Sequence, residues 1–298
     1  MLLNSLWPNQ LIASCSINSV AVISKQGGFN QRIIHQQHAT FEPTTEVSDL
    51  EAPIWQNAIN QLDGLLNTVQ VKPKSHLEII VASDFVRYLV LPAQQMRMNQ
   101  NEKNAYALAA YHDLYGAVAA NWQIKLHDAA PHQPTIVAAV DKKLLAALTQ
   151  LALKYQLKLT SIKPYLMCAL NGLASQISKK TSQLVLVESS RLLLINLLNS
   201  QLISLKSDTV GNNWQIDLEN LMHRELLLSD SAHQISRQEV LVYAPTHKNI
   251  TLKDSAEWHF KLVSKPNKNT LNKRTINQNA AYKNSLSDQY FAMLELAT

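Results

Sequence analysis

Glycine is scarce in this chain: six residues in 298. Gly27, Gly28 and Gly211 fall at ordinary turn positions, so no glycine-rich loop is available to bring backbone N–H groups close around a phosphate. Cysteine is scarcer still. Cys15 and Cys168 are too far apart for a C-x-x-C metal pair, and two thiols make no disulfide framework, which fits a reducing compartment best. Long apolar runs are also missing. The longest, Leu192 to Leu198, already contains Asn196 and falls far short of the ~20 residues that cross a bilayer. Met1 to Gln10 has no positive n-region and is interrupted by Pro8, Asn9 and Gln10, so no signal peptide is expected and any membrane role is peripheral.

Catalytic signatures are equally sparse. There is no G-x-S-x-G elbow to expose a serine nucleophile. None of the ten histidines stands in H-E-x-x-H, and His35 and His38, three apart on an expected strand, fall on opposite faces. Cys168 sits in the apolar stretch Leu166 to Leu170, the setting of a buried and inert thiol.

What the chain has is core material. It is 46% apolar and 16% charged, and its length exceeds the ~250 residues at which one core stops growing, so two lobes are expected. The formal charge of +5 is uneven. From Lys248 to Lys283, eight Lys or Arg face only Asp254 and Glu257, a surplus of six that leaves the remainder near neutral. This basic segment, 248–284, is a candidate for anionic lipid or nucleic acid. Beyond Trp258 and Phe260 it holds only one further aromatic, Tyr282, too few to interleave for base stacking, which favours a solvated segment.

Strand signals open the first half at Leu11–Ile17, Val20–Ser24 and Arg32–His38, a meander. A helix is expected over Pro53–Asn67, with Ile54, Ala58, Leu62 and Leu65 on one face. Strands follow at Leu77–Ala82 and Val86–Leu91. Asn99 and Glu102 form a capping box for a helix that Gly116 ends. Strands at Trp122–Leu126 and Thr135–Val140, a helix over Lys142–Tyr155 and a strand at Lys158–Ile162 complete the half, up to Pro164. After a helix and linker over Tyr165–Ser182 the order starts again. Three strands (Leu184–Val187, Leu192–Leu198, Leu202–Lys206) precede a helix over Asn213–Leu228 with Trp214, Leu218, Leu221, Met222 and Glu225 in one stripe. Strands at Val240–Tyr243 and Glu257–Val263 and a helix over Leu286–Leu296 follow. A meander followed by alternating helices and strands, occurring twice, argues for two α/β domains with mixed sheets, over 1–164 and 183–298, joined through 165–182.

This order resembles the actin-like ATPase fold, in which each of two ribonuclease-H-like domains begins with a three-strand meander and the two face each other across a cleft. The run Ser83-Asp84-Phe85-Val86-Arg87-Tyr88-Leu89-Val90-Leu91-Pro92 is similar to one in the pilus-assembly and secretion members of that fold, the PilM and GspL-cytoplasmic type. Glu102, Tyr115-Gly116 and Trp122 continue the likeness over residues 77 to 165. Ala93 departs from it, since relatives often carry Trp after the proline, and no counterpart of GspL's membrane-spanning helix is expected.

The resemblance implies a PilM-like scaffold at the cytoplasmic face of the inner membrane. It also implies that an extended segment of an inner-membrane partner docks in a groove of the first domain, which Arg87 and Tyr88 help to shape. Actin-like ATPases hold phosphate with Asp-x-Gly turns after the first strand of each domain. The corresponding turns here, Ser14 to Ser19 and Glu188 to Arg191, contain no glycine, so no cofactor is expected and the nucleotide site reads as degenerate. A weak Mg-ATP site using Ser16 and Glu188, with Glu188 as metal-organising acid, is the enzymatic alternative, and nucleic-acid binding through the basic segment is a third reading.

Overall fold

β1 (Gln10–Cys15) is apolar from Leu11 to Ala13 and buried from Leu11 onward, because it pairs on both edges. β2 (Ser19–Lys25) lies antiparallel to it on one side and β4 (His76–Val81) parallel on the other. Strands covered on both faces read as continuous apolar runs, and Ile79 and Ile80 of β4 are fully buried. β3 (Ile33–Thr40) is the edge beyond β2 and is correspondingly polar. β8 (Lys158–Pro164) closes the other edge in parallel with β4. The structure is a computed structural model that describes residues 8–27, 33–43, 52–69, 72–94, 98–127, 132–211, 213–228, 238–247, 250, 252–264 and 291–295.

The five-stranded order is β3-β2-β1-β4-β8. α1 (Gln56–Thr68) packs Ala58, Ile59, Leu62, Leu65 and Leu66 into its core. It begins three residues later than Pro53 suggests: Gln56 N donates to Pro53 O at 2.9 Å in a turn before the helix. Ile54 is consequently 52% exposed, and Trp55 takes the buried place instead. α3 (Lys142–Lys154) buries Leu144, Leu148, Leu151 and Ala152 in the same core.

Between β4 and α3 the chain builds a second, smaller layer. β5 (Val86–Leu91), β7 (Thr135–Asp141) and β6 (Trp122–Leu126) form a separate antiparallel sheet in the order β5-β7-β6. α2 (Gln100–Tyr115) covers one face with Ala107 and Tyr111. Its capping box forms as the sequence leads one to expect. The Asn99 side chain accepts from Asn101 N (2.9 Å) and Glu102 N (3.0 Å), and Glu102 Oε2 accepts from Asn99 N (2.7 Å). Gly116 ends the helix at φ 68°, a conformation that favours glycine.

The chain divides into two compact units, Met1–Met167 and Cys168–Thr298, with α4 (Tyr165–Leu173) at the division. In the second unit β9 (Thr181–Val187), β10 (Arg191–Leu198), β11 (Gln201–Thr209), β12 (Gln238–Tyr243) and β13 (Trp258–Leu262) pair in the order β11-β10-β9-β12-β13. This repeats the first sheet strand for strand: an antiparallel meander, then two parallel additions. α5 (Trp214–Leu228) packs Trp214, Leu218, Leu221 and Met222 on it, while Glu225 is half-buried 3.9 Å from Lys206.

Of the expected last helix, Ala292–Glu295 is helical (α6) and the rest lies outside the described residues. Most of the basic segment lies outside them too. Lys253 and Lys261 are described and exposed, beside an Asp254 that holds His259 at 2.7 Å. Among the described residues no helix is long and apolar enough to cross a membrane.

Candidate binding site

The two hairpin turns that follow the first strand of each sheet share a backbone frame. Ser16 N donates to Ser19 O at 2.9 Å in the first, and Glu188 N donates to Arg191 O at 2.8 Å in the second. Their side chains differ. The Ser16 hydroxyl, 2% exposed, lies 3.0 Å from Asn18 Oδ1 and 2.8 Å from Ser19 Oγ, and accepts from Ser19 N at 3.1 Å. It is spent within its own turn. Glu188 is 4% exposed, a carboxylate held at the strand end rather than standing in water. Glycine is absent from both turns. Among the described residues no three His, Cys, Asp or Glu side chains gather to hold a metal.

Arg87 and Tyr88, adjacent on β5, point to opposite faces of the small sheet, as strand neighbours must. Tyr88 packs against the main core of the first unit, with its hydroxyl 3.5 Å from Ser83 Oγ. Arg87 faces the α2 side and folds back, its Nη1 donating to Asp84 O at 3.1 Å. Tyr111 of α2 fixes this strand from above, with its hydroxyl 2.7 Å from Arg87 O and 3.1 Å from Val137 O. Burial pushes the Tyr111 phenol far above its ordinary range, so the hydroxyl keeps its proton as a donor.

Arg87 lines a cavity of about 280 Å³. Trp55 and Trp122 wall it with indole, and Asp84 and Asp141 supply two carboxylates. Three local structures build it. Trp55 comes from the turn before α1, Asp84 from a short 3-10 turn (Ser83–Phe85), and Asp141 from the end of β7, cross-strand from Trp122. Asp141 is also the N-cap of α3: Oδ1 accepts from Lys143 N at 2.7 Å, and Oδ2 lies 3.4 Å from Trp55 Nε1. Asp84 is 3% exposed.

Trp122 also lines a second hollow of about 710 Å³, between the open edge of β6 and the α2 face carrying Gln100, Asn104 and Leu108. Its charges are Lys125 and Lys142, the latter donating to Ala120 O at 2.7 Å.

Sequence reasoning singled out Arg87 and Trp122 but not Trp55, Asp84 or Asp141 as partners. Asp141 had a readable signal, an acid directly before a helix. Nothing in the sequence brings it to Trp55, 86 residues away.

Both cysteines are buried and free. Burial raises the Cys15 thiol to about 12, which leaves it protonated and unreactive.

No protein-family model and no curated protein matches the chain; the likeness is structural. The cytoplasmic domain of EpsL, an inner-membrane component of the type II secretion system of Vibrio cholerae, matches with a TM-score of 0.50 at 9% identity, over 86% of this chain and 90% of that one. A PilM-PilN type IV pilus biogenesis complex gives 0.54 at 10% identity, over 78% and 80%. A Bacteroides thetaiotaomicron protein with an actin-like ATPase fold and unknown function gives 0.51 at 12% identity, over 82% and 85%. These are the kinds of protein that the Ser83–Pro92 run and the doubled order of elements resemble, and the chain has the actin-like ATPase fold, α/β with two ribonuclease-H-like units built on mixed sheets.

Proposed function

We propose that this chain is a non-catalytic scaffold of a type IV pilus or type II secretion-like assembly. It works at the cytoplasmic face of the inner membrane by holding a short segment of a membrane partner in the groove of its first unit. The observation that carries the non-catalytic half is the Ser16 turn. A phosphate cradle needs glycines that expose backbone N–H groups and an acid to organise the metal. Here the turn has neither, and its buried hydroxyl is committed to Asn18 and Ser19. The binding half is supported by the fold that the chain shares with the EpsL domain and PilM and by the cavities of the small sheet, which have an indole and charged lining suited to a side chain.

A thermal-shift titration with Mg-ATP tests the non-catalytic half. A ligand at 100 times its dissociation constant stabilises the native state by about 2.7 kcal/mol. The reading predicts an unchanged midpoint at millimolar nucleotide. The buried Glu188 favours one rival, a weak ATPase. That rival requires a clear shift, and turnover abolished by Glu188→Ala.

A further inference from the structure

α2 ends, and the 3-10 turn Gly116–Asn121 follows it, in a run without a charge from Leu114 to Ala120. Leu114, Tyr115 and Val118 stand between 39% and 61% exposed there, and Ala117 and Ala120 are exposed beside them. Leu108, two turns back from Tyr115 on the same stripe of α2, is exposed as well. The core under the helix is filled by Ala107, Tyr111 and Ala119 instead. Single exposed apolar side chains are ordinary, but a contiguous group marks a contact surface.

The charges around this group have one sign. Lys142 donates from Nζ to Ala120 O at 2.7 Å, which holds its ammonium at the edge of the turn. Lys143 follows it on α3, and Lys125 comes three residues along β6 from Trp122; all three lysines are exposed. Glu102 and Asp113, the acids of α2, fall on the side of the helix opposite the Leu108–Tyr115 stripe. Asp141 is half-buried, with Oδ1 accepting from Lys143 N and Oδ2 from Trp55 Nε1. Two copies of the chain meeting on this face would set lysines against lysines, which makes a second copy a poor occupant. Apolar side chains, a tyrosine and flanking lysines are together suited to an anionic bilayer. The apolar groups enter the headgroup boundary, the phenol stays at the interface, and the ammonium groups meet phosphate.

We infer that the end of α2 and its 3-10 turn form a lipid-contact surface. Leu114, Tyr115 and Val118 enter the headgroup region of an anionic bilayer, and Lys125, Lys142 and Lys143 bind its phosphates. This deepens the membrane side of the proposed function and rests on it: the bilayer is touched directly as well as through a partner. The surface draws on no residue of the basic segment 248–284.

The test uses the full chain with Val118→Cys carrying an environment-sensitive dye. Cys15 and Cys168 are buried, so the label goes to position 118. On vesicles of phosphatidylcholine and phosphatidylglycerol in equal parts the emission should shift to the blue, and on phosphatidylcholine alone it should not. Lys125→Gln and Lys142→Gln should each weaken vesicle binding about fivefold, the share of one lysine near an anionic surface. No shift on the anionic vesicles, an equal shift on the neutral ones, or an affinity indifferent to both lysines overturns the inference. Co-sedimentation without a dye shift assigns binding to another part of the chain, and a shift produced only by solubilised membrane protein assigns the surface to a protein partner; either result also overturns it. If Lys142→Gln does not fold, Lys125→Gln decides alone. Capture of an inner-membrane assembly protein from detergent-solubilised membranes alongside a failed vesicle test leaves the scaffold reading standing and removes only the lipid surface.

Discussion

The two units share one sheet order, each in its own five-stranded sheet, and differ in what is hung from it. In the first, the connection from β4 to β8 spans residues 82–157 and carries β5, α2, β6, β7 and α3. In the second, the corresponding connection from β12 to β13 spans residues 244–257, and among its described residues it contains no strand or helix. A parallel crossover needs only a dozen or so residues, so the second connection is close to the minimum and the first is more than five times longer. The excess builds a second core under α2 and both cavities described above. The two cavities thus belong to the copy with the long connection, while the described residues of the other copy hold its sheet, α5 and the short α6.

Core truncation gives the largest effect by which to sharpen this contrast. Leu62→Ala in the first unit and Leu218→Ala in the second each delete a fully buried side chain and should cost about 2–5 kcal/mol. Because the two lie in separate apolar clusters, hydrogen exchange should quicken in β1 and β4 for the first variant and in β9 and β12 for the second. Exchange spread equally over both sheets would erase the distinction.

Tyr111→Phe comes next. It removes the donor that α2 offers to Arg87 O and Val137 O and should cost about 1–3 kcal/mol, with loosening confined to the small sheet. Asn99→Ala breaks the capping box of α2 for about 1 kcal/mol, read as a lower urea midpoint with unchanged slope.

The smallest effect is the surface pair between α1 and α3 of the first unit. Lys154 lies 2.7 Å from Asp63, and the lysine, then Tyr155, hold the Asp63 carboxyl below its ordinary value. A depressed carboxyl stabilises the native state above its unfolded value near 4 and loses that contribution as pH falls through the folded one. Lys154→Gln should reduce this slight acid sensitivity to the part that the Tyr155 hydroxyl supplies, and change little else, because Lys154 is exposed and Asp63 partly so.

How much of this could be read from residue order varies by element. The paired meanders were legible because buried central strands leave unbroken apolar runs, as at Leu184–Val187 and Leu192–Ile195. The α2 cap was legible because Asn99 and Glu102 act within one turn. The separate β5-β7-β6 sheet was not, since β5 pairs with β7 across 44 (Leu91 to Thr135) to 54 (Val86 to Val140) residues, a pairing that no local pattern encodes. Ile54 was placed on the buried face of α1 because periodicity ignores the turn that delays the helix to Gln56. The cavity was invisible for the same reason as the sheet: Trp55, Asp84 and Asp141 each have a local explanation, and only the tertiary fold converges them.

The most direct measurement is affinity capture from detergent-solubilised membranes with the immobilised full chain, partners being identified by mass spectrometry. The account predicts recovery of an inner-membrane protein of a pilus or secretion assembly, lost when Trp122 is replaced by Ala. Repeated capture that yields no such protein, or that yields one equally well with Trp122→Ala, would contradict it.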